Sequence, residues 1–345
     1  MKPLITFFIL TYNQEDFIFE AVLSAFSQDY SPLEIILSDD CSTDNTFSII
    51  NNMAASYNGP HKIILNQNEK NLGIGAHINK IMELAHGELI VAAAGDDVSV
   101  PDRTMKIYYE YEASKRSAKS IFSNSITIDV NGKKDRLRYE RPKDTNHFSP
   151  DMIVKQDSIL SGCSHAWSRD VFSTFGPLIT PLTCEDMVIP FRSSLLGKIN
   201  YIHEPLVLYR QHGSSLWNYK WHDKKRIIAK KEIQFYIFWM YERLAIFKNW
   251  NKDLQIMKNI SPSRKEELQY LQNIVRERIH DMERNIEMLN VNFIKKIKII
   301  LQRKTKDSYR HNSMRHEIGF FLFPKIYKYY IECKFSFLNF LKINR

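Results

Sequence analysis

The chain has 345 residues, 44% of them hydrophobic and 25% charged, which excludes an intrinsically disordered protein and allows two domains, or one large domain with an appendage, around a sizeable core. The net charge of +9 is unevenly spread: 21 basic residues stand against 26 acidic ones over residues 1–220, and 27 against 13 over residues 221–345. This asymmetry points to a surface-seeking tail rather than a uniformly basic protein.

Residues 4–10 follow Met1-Lys2-Pro3 as a short apolar run that passes straight into Thr11-Tyr12-Asn13-Gln14-Glu15. With no small-residue cleavage site it reads as a first strand rather than a signal sequence. A helix is expected over 14–27, with Phe17, Ala21, Val22 and Ala25 on one face, then a strand over 33–37. A helix over 44–57 follows Ser42 as N-cap; a strand over 62–65 and a helix over 76–86 closed by Gly87 come next. Residues 88–94 then form a strand whose unbroken apolar run from Leu89 is of the kind buried on both faces. This βαβαβαβ order predicts a parallel, doubly wound sheet with right-handed crossovers. After a helix over 101–114 the pattern changes to a hairpin, 121–130 and 133–139 around Asn131-Gly132, so the sheet becomes mixed. A short helix ending at Gly176, a helix opening at Cys184-Glu185-Asp186-Met187 and running to Leu196, and a strand over 200–209 complete this part.

Two strand ends carry carboxylates: Ser38-Asp39-Asp40-Cys41-Ser42 after the second, and Gly95-Asp96-Asp97 after the fourth. In open parallel sheets the ligand crevice lies outside the carboxyl ends of the strands. There Asp96 and Asp97 suit a hard cation with a phosphate, and an acid at 39–40 suits the hydrogen-bond donors of a nucleobase or ribose. The alternative for Asp96 and Asp97 is a helix cap, with Ser99 as cap and Pro101 at the first helical position. Asn71-Leu72-Gly73-Ile74-Gly75 reads as a loop and helix start needing positive φ rather than as a phosphate loop. Glu185 and Asp186 suit a helix N-terminus in any case, and His212 is open to a structural reading. Cys41, Cys163, Cys184 and Cys333 show no CxxC or metal spacing, which fits a reducing compartment and packing roles.

Together these residues resemble the family 2 inverting glycosyltransferases of GT-A fold. The likeness rests on Thr11-Tyr12-Asn13, the run 34–46 through Asp39-Asp40-Cys41-Ser42, Asn71-Leu72-Gly73, and Gly87-Glu88 with the strand into Gly95-Asp96-Asp97. The Glu185-Asp186 pair and Tyr209-Arg210-Gln211-His212 extend it, so that it covers about residues 3–215. It implies an α/β fold of Rossmann-like GT-A type, with a mixed, mainly parallel central sheet flanked by helices. It also implies a nucleotide-diphosphate sugar as donor, and donor or acceptor contacts from Thr11, Tyr12, Asn13, Glu15, Asp39, Asp40, Asn71, Gly73, Asp96, Gly162, Trp167, Glu185, Arg210 and His212. Asp186 corresponds to the catalytic base, and Asp96 with Asp97 to the ligands of Mg²⁺ or Mn²⁺. Gly162 and Trp167 fall in the acceptor-side wall. Ala94 departs from the family pattern, since many members carry there the first acid of an Asp-x-Asp triplet; the departure weakens a ribose contact and leaves the later acids in place.

The expected division is a GT-A catalytic domain over 1–220 and a basic α-helical region over 221–345. In the latter, Ser263 to Glu266 read as a capping box, and Leu268, Leu271, Ile274, Val275, Ile279, Met282 and Ile286 follow at helical spacing as a core or partner face. Over 291–345 basic residues alternate with Ile, Phe and Tyr, as in interfacial helices on an anionic leaflet. No run reaches the roughly 18 to 20 apolar residues of a membrane span. The reading is a cytoplasmic enzyme, peripheral on the inner face of the cell membrane, that builds a bacterial-style surface polysaccharide on a glycan or lipid-linked acceptor. No nucleic-acid motif accompanies the charge, and the C-terminal helices could also join two copies of the chain. The alternatives are a metal-dependent nucleotidyltransferase or diphosphate hydrolase, and a non-catalytic assembly protein.

Overall fold

A computed structural model describes residues 1–138, 148–156, 161–213 and 225–291. The first half alternates as expected: β1 (Ile5–Thr11), α1 (Ile18–Phe26), β2 (Leu33–Asp39), α2 (Thr46–Ala55), β3 (Lys62–Gln67), α3 (Ile74–Leu84) and β4 (Leu89–Ala94). β1 lies between β2 and β4 and is parallel to both, with Phe7 opposite Ile35 and Val91. Covered on both faces, it needs no polar alternation, which is why its run is mainly apolar, with Thr6 and Thr11 as its polar members. Ile5, Phe7, Ile9, Val22, Ile35, Leu37 and Val91 form one core under α1 and α2. Each such side chain contributes about 1.5–3 kcal/mol by leaving water. The same register sets Thr11 opposite Asp39 and Leu10 opposite Ala94. Residues 40 and 95–97 therefore leave the sheet at one edge.

Beyond β4 come β5 (Val98–Ser99), α4 (Arg103–Ala113), β6 (Ala118–Ile128), β7 (Lys134–Leu137), α5 (Pro150–Gln156), a 3₁₀ turn (Gly162–Ser164), β8 (Ala166–Ser168), α6 (Asp170–Phe175), α7 (Glu185–Leu196) and β9 (Lys198–Arg210). The sheet order is β3-β2-β1-β4-β8-β6-β9-β5, with β7 paired to β6. β8 is antiparallel to both β4 and β6, so the sheet is parallel in its first half and mixed in its second. The three residues of β8 and the two of β5 are too short to show a period, and the sequence reading passed over them. The hairpin turn forms at Asn131-Gly132, with Gly132 at φ 78° and the Asp129 carboxylate accepting from the amides of Asn131 and Lys133.

Three expected caps are arranged differently. Ser42 donates to Asp39 instead of capping α2, and Thr46 N–H goes to Asp44. Ser99 lies in β5 and accepts from Arg103, so Asp96 and Asp97 stand ahead of a strand rather than at a helix cap. Ser263 falls inside a 3₁₀ turn, Pro262–Arg264, and α9 (Lys265–Asn290) begins after it, with Arg264 paired to Glu267 at 2.9 Å.

The long helix α8 (Lys225–Ile260) precedes that turn. The chain divides into two compact units: Met1–Asn218 with Lys248–Val275, and Tyr219–Phe247 with Arg276–Arg345. Residues 248–275 thus group with residues 1–218, and within them Trp250, Leu254, Leu268 and Leu271 are buried. In the other unit the Arg278 guanidinium lies 5.5 Å from the Phe247 ring centre. Among the described residues no helix is long and apolar enough to cross a membrane. The basic segment 292–345 lies outside the described residues.

Candidate active site

The nucleoside side of the crevice is assembled from two strand ends. Asp40 donates its N–H to Thr11 O, and its carboxylate accepts from Asn68 Nδ2 (2.8 Å), Leu72 N (2.9 Å) and Gly73 N (2.9 Å). Three of about four lone-pair positions are thus filled from within, leaving one for a ligand N–H. Gly73, at φ 76°, supplies the left-handed turn that aims these amides, and α3 starts immediately after it. Asn71 is exposed and its Oδ1 accepts from Gly73 N. Beneath Asp40, His77 is buried; its Nε2 lies 2.6 Å from Ser38 Oγ and its Nδ1 4.0 Å from Asp40 Oδ2. Burial pushes the His77 pKa down, against the pull of Asp40 and Asp39.

Asp39 is spent on Ser42, accepting from its N–H and hydroxyl. Asn13 Oδ1 accepts from Thr43 N, and Glu15 accepts from Asn45, so these two lock the loop after β1 onto the loop after β2. Thr11 is buried and bonded to Gln14. Tyr12 is 43% exposed.

Asp96 and Asp97 differ sharply. Asp96 Oδ2 lies 2.9 Å from His212 Nε2, and the His212 ring packs 4.6 Å from that of Phe17. Asp97 is 4% exposed; its Oδ1 accepts from Arg210 N, while Oδ2 is buried with no hydrogen-bond partner among the described residues. Burial, then the charge of Asp96, raise its pKa well above the carboxylate range. An orphaned carboxylate oxygen beside a second carboxylate and an imidazole fits a hard cation completed by phosphate oxygens and water. Among the described residues no group of three or more His, Cys, Asp or Glu side chains is arranged to hold a metal ion by itself. Arg210, expected to meet substrate, is instead a buried clamp: it is 1% exposed, donates to the carbonyls of Asp96, Asp129 and Val130, and pairs with Glu20.

The third group comes from the second half of the sheet. Gly162 opens a 3₁₀ turn so close to α7 that a Cβ there would stand 2.8 Å from Glu185 Oε1 and 3.6 Å from Asp186 Oδ2. This turn is held to β4 by Arg103, whose guanidinium donates to Ala92 O (2.7 Å), Cys163 O (3.2 Å) and Ser99 Oγ (2.9 Å). Burial lowers the Arg103 pKa to about 10, which still leaves it a cation at neutral pH. Arg138 stacks 3.7 Å from the Tyr209 ring centre and donates to Ser161 Oγ. From the other direction Gly75 N donates to Leu182 O, joining the start of α3 to the segment that leads into Asp186. Trp167 is not at the acceptor wall: at 1% exposure it packs edge-on to Phe8 and against Phe172 in the core. Being flanked by β4 and β6 buries it, and no sequence period betrays so short a strand.

The family described as Glycosyl transferase family 2 matches residues 6–176, the stretch that builds the Asp40 and Asp96 strand ends and the Gly162 turn. The chain belongs to glycosyl transferase family 2. Among curated relatives of this family 2 chain, Rv1520 of Mycobacterium tuberculosis is 26% identical over 223 residues, 63% of this chain and 61% of that protein. The chain thus spans about three-fifths of that relative's length. The Escherichia coli UDP-Glc:alpha-D-GlcNAc-diphosphoundecaprenol beta-1,3-glucosyltransferase WfaP is 33% identical over 117 residues, 31% of this chain and 45% of WfaP. In fold the chain is similar to S. aureus TarS 1–349 in complex with UDP-GlcNAc, with a TM-score of 0.51 and 15% identity over 82% of this chain and 91% of that one.

Sequence reasoning on this family 2 chain gave no role to Arg103, Arg138 or His77. Their partners stand 60, 23 and 39 residues away in the chain, and neither periodicity nor strand-end position reveals a contact of that kind.

Proposed function

We propose that this family 2 chain transfers a sugar from a nucleotide-diphosphate sugar to a hydroxyl of a glycan or lipid-linked acceptor, with inversion at the anomeric carbon. The observation that carries the reading is the common edge formed by the Asp40 loop, the Asp96–His212 pair and the Gly162 turn against Asp186. In this reading the free lone pair of Asp40 takes a nucleoside N–H and Tyr12 borders the base. Asp96, with Asp97 Oδ2 and His212, would hold Mg²⁺ or Mn²⁺. Such a cation, when bound, offsets the charge on the departing diphosphate.

Asp186 accepts the proton of the acceptor hydroxyl while the acceptor oxygen bonds to the anomeric carbon and the bond to the diphosphate breaks. General-base help of this kind contributes about 10²- to 10⁴-fold, and alignment of the two reactants supplies the larger part. Glu185, beside the Gly162 turn, orients the acceptor from the same face. WfaP's glucosylation of a diphosphoundecaprenol-linked sugar supports a lipid-linked acceptor and a role in surface polysaccharide assembly.

The test is a thermal-shift panel of UDP-, GDP-, TDP- and CMP-sugars with Mn²⁺ or Mg²⁺, followed by product analysis on the stabilising donor. Asp186→Asn is expected to keep the donor-induced shift and lose turnover by about 10²-fold or more. A fully active Asp186→Asn, or no stabilisation by any of these donors, would overturn the reading. Release of sugar phosphate or free nucleotide without a glycosylated product would favour a diphosphate hydrolase.

A further inference from the structure

The family match ends at residue 176, yet the carboxylates read as catalytic stand at the first turn of α7, behind the segment 176–184 that no sheet ladder holds. Two asparagines on different helices grip consecutive residues of that segment. Asn79 of α3 accepts from Leu178 N at 2.8 Å and donates to Leu178 O at 3.0 Å. Asn249 of α8 does the same to Ile179, at 2.8 and 3.0 Å. A side-chain amide that both accepts and donates to one residue fixes its height and its tilt, as a neighbouring strand would.

The anchoring continues around α7. Lys252 and Arg192 donate to the carbonyls of Pro177 and Gly176 at 3.1 and 2.8 Å, and Arg192 forms a fully buried ion pair with Asp253 at 3.0 Å. Pro190 has no N–H to offer the carbonyl of Asp186, so the helix ladder is one bond short in the turn that carries the acids. Trp250, fully buried, donates Nε1–H to the next carbonyl, Met187 O, at 3.0 Å, and its ring packs 4.9 Å from that of Phe191. Arg264 bonds Leu195 O at the far end of the helix. A loop leading to a helix weakened by proline at its first turns would drift by itself. Here it is held from α3, whose N-terminus is organised by Asp40, and from residues 249–253.

We propose that Asn79, Asn249 and Trp250 are positioning residues for Asp186, forming a two-sided clasp that couples the donor-side helix α3 and the segment 248–260 to the base. The inference rests on the reading of Asp186 as base, and it makes residues 248–275 part of the catalytic unit rather than an appendage. A misplacement of about 1 Å at a reacting group can lower turnover by about 10²-fold.

The test uses the full chain and the nucleotide sugar selected by the thermal panel, with Asn79→Ala, Trp250→Phe and Asp186→Asn compared. Asn79→Ala removes the grip on Leu178 at a partly buried position, and Trp250→Phe keeps an aromatic side chain, smaller than the indole, and loses the N–H. Each is expected to lower kcat by about 10-fold or more, to keep one nucleotide-diphosphate bound per chain with its affinity within twofold, and to shift the acidic limb of the pH–rate profile. A merely structural role would reduce binding stoichiometry in step with kcat and leave that limb in place, and this outcome overturns the clasp. Unchanged kcat in both variants beside an inactive Asp186→Asn also overturns it and leaves the base standing. A fully active Asp186→Asn overturns the base assignment and the clasp with it. Should Trp250→Phe fail to fold, Asn79→Ala decides.

Discussion

At the scale of single residues, adjacent carboxylates in one turn have opposite duties. Asp96 reaches His212 and the crevice, whereas Asp97 is buried, with one oxygen on the backbone of Arg210 and the other orphaned. Asp96→Ala is therefore expected to abolish the part of the nucleotide-induced thermal shift that depends on Mn²⁺ while leaving unfolding of the ligand-free protein nearly unchanged. Asp97→Ala strips the acceptor from a buried N–H and should in addition cost about 1–3 kcal/mol in stability, measured by urea unfolding. Asp97→Asn retains the oxygen for Arg210 and restores most of that loss without the charge. Equal destabilisation by both alanine variants would show that the burial difference carries no weight. The same scale explains Arg210: a strand-end arginine next to a site invites a substrate role, but its donors are consumed by three carbonyls and Glu20.

At the scale of elements, the edge of the sheet opposite the crevice is tied by one carboxylate. Glu34 of β2, fully buried, accepts from Thr6 of β1 at 2.7 Å and from His86 N at 2.6 Å, and lies 3.6 Å from Lys62 of β3. Burial works to raise its pKa, but the hydrogen bonds from His86 and Thr6 and the charges of His86 and Lys62 outweigh it, and the net shift is downward. A depressed carboxylate stabilises the fold fully above its unfolded pKa of about 4.3, and that contribution is lost as pH falls through the folded value. Glu34→Gln is expected to lower stability at pH 7 by about 1–3 kcal/mol and to flatten the loss of stability as pH falls below about 4.3, read as urea midpoints. A variant with the same acid slope as the parent would refute this assignment. How elements join also decided what the sequence could show: the parallel arrangement of β1, β2 and β4 was legible from mainly apolar runs alternating with helices, whereas β8 is short enough that only its two neighbours make it a strand.

At the scale of the whole molecule, the charge division seen in the sequence and the structural division differ in position and in meaning. The basic half begins near residue 221, but residues 248–275 pack with the α/β unit, so the excess charge concentrates on what remains. The basic, aromatic segment 291–345 is proposed to hold the enzyme at an anionic membrane surface, where a lipid-linked acceptor lies. Removing residues 291–345 should release the protein from vesicles containing anionic lipid, and raising salt should do the same for the full chain, because screening weakens surface charge attraction. An unchanged vesicle-bound fraction in a sedimentation assay would end the membrane assignment.

Sequence alone determined the alternating α/β order, the parallel first half of the sheet, and the acids at its carboxyl edge. Apolar periodicity and strand-end position are local properties, and Asp40, Asp96 and Asp186 could be named from them and from the family likeness. Tertiary structure decided which neighbours are spent on the protein itself, namely Asp39, Glu15, Arg210 and Trp167, and which distant residues hold the site, namely Arg103, Asn79, Asn249 and Trp250. A buried polar group must find its partner wherever the chain brings one within about 3 Å, and that pairing is written in no stretch of sequence short enough to carry a motif.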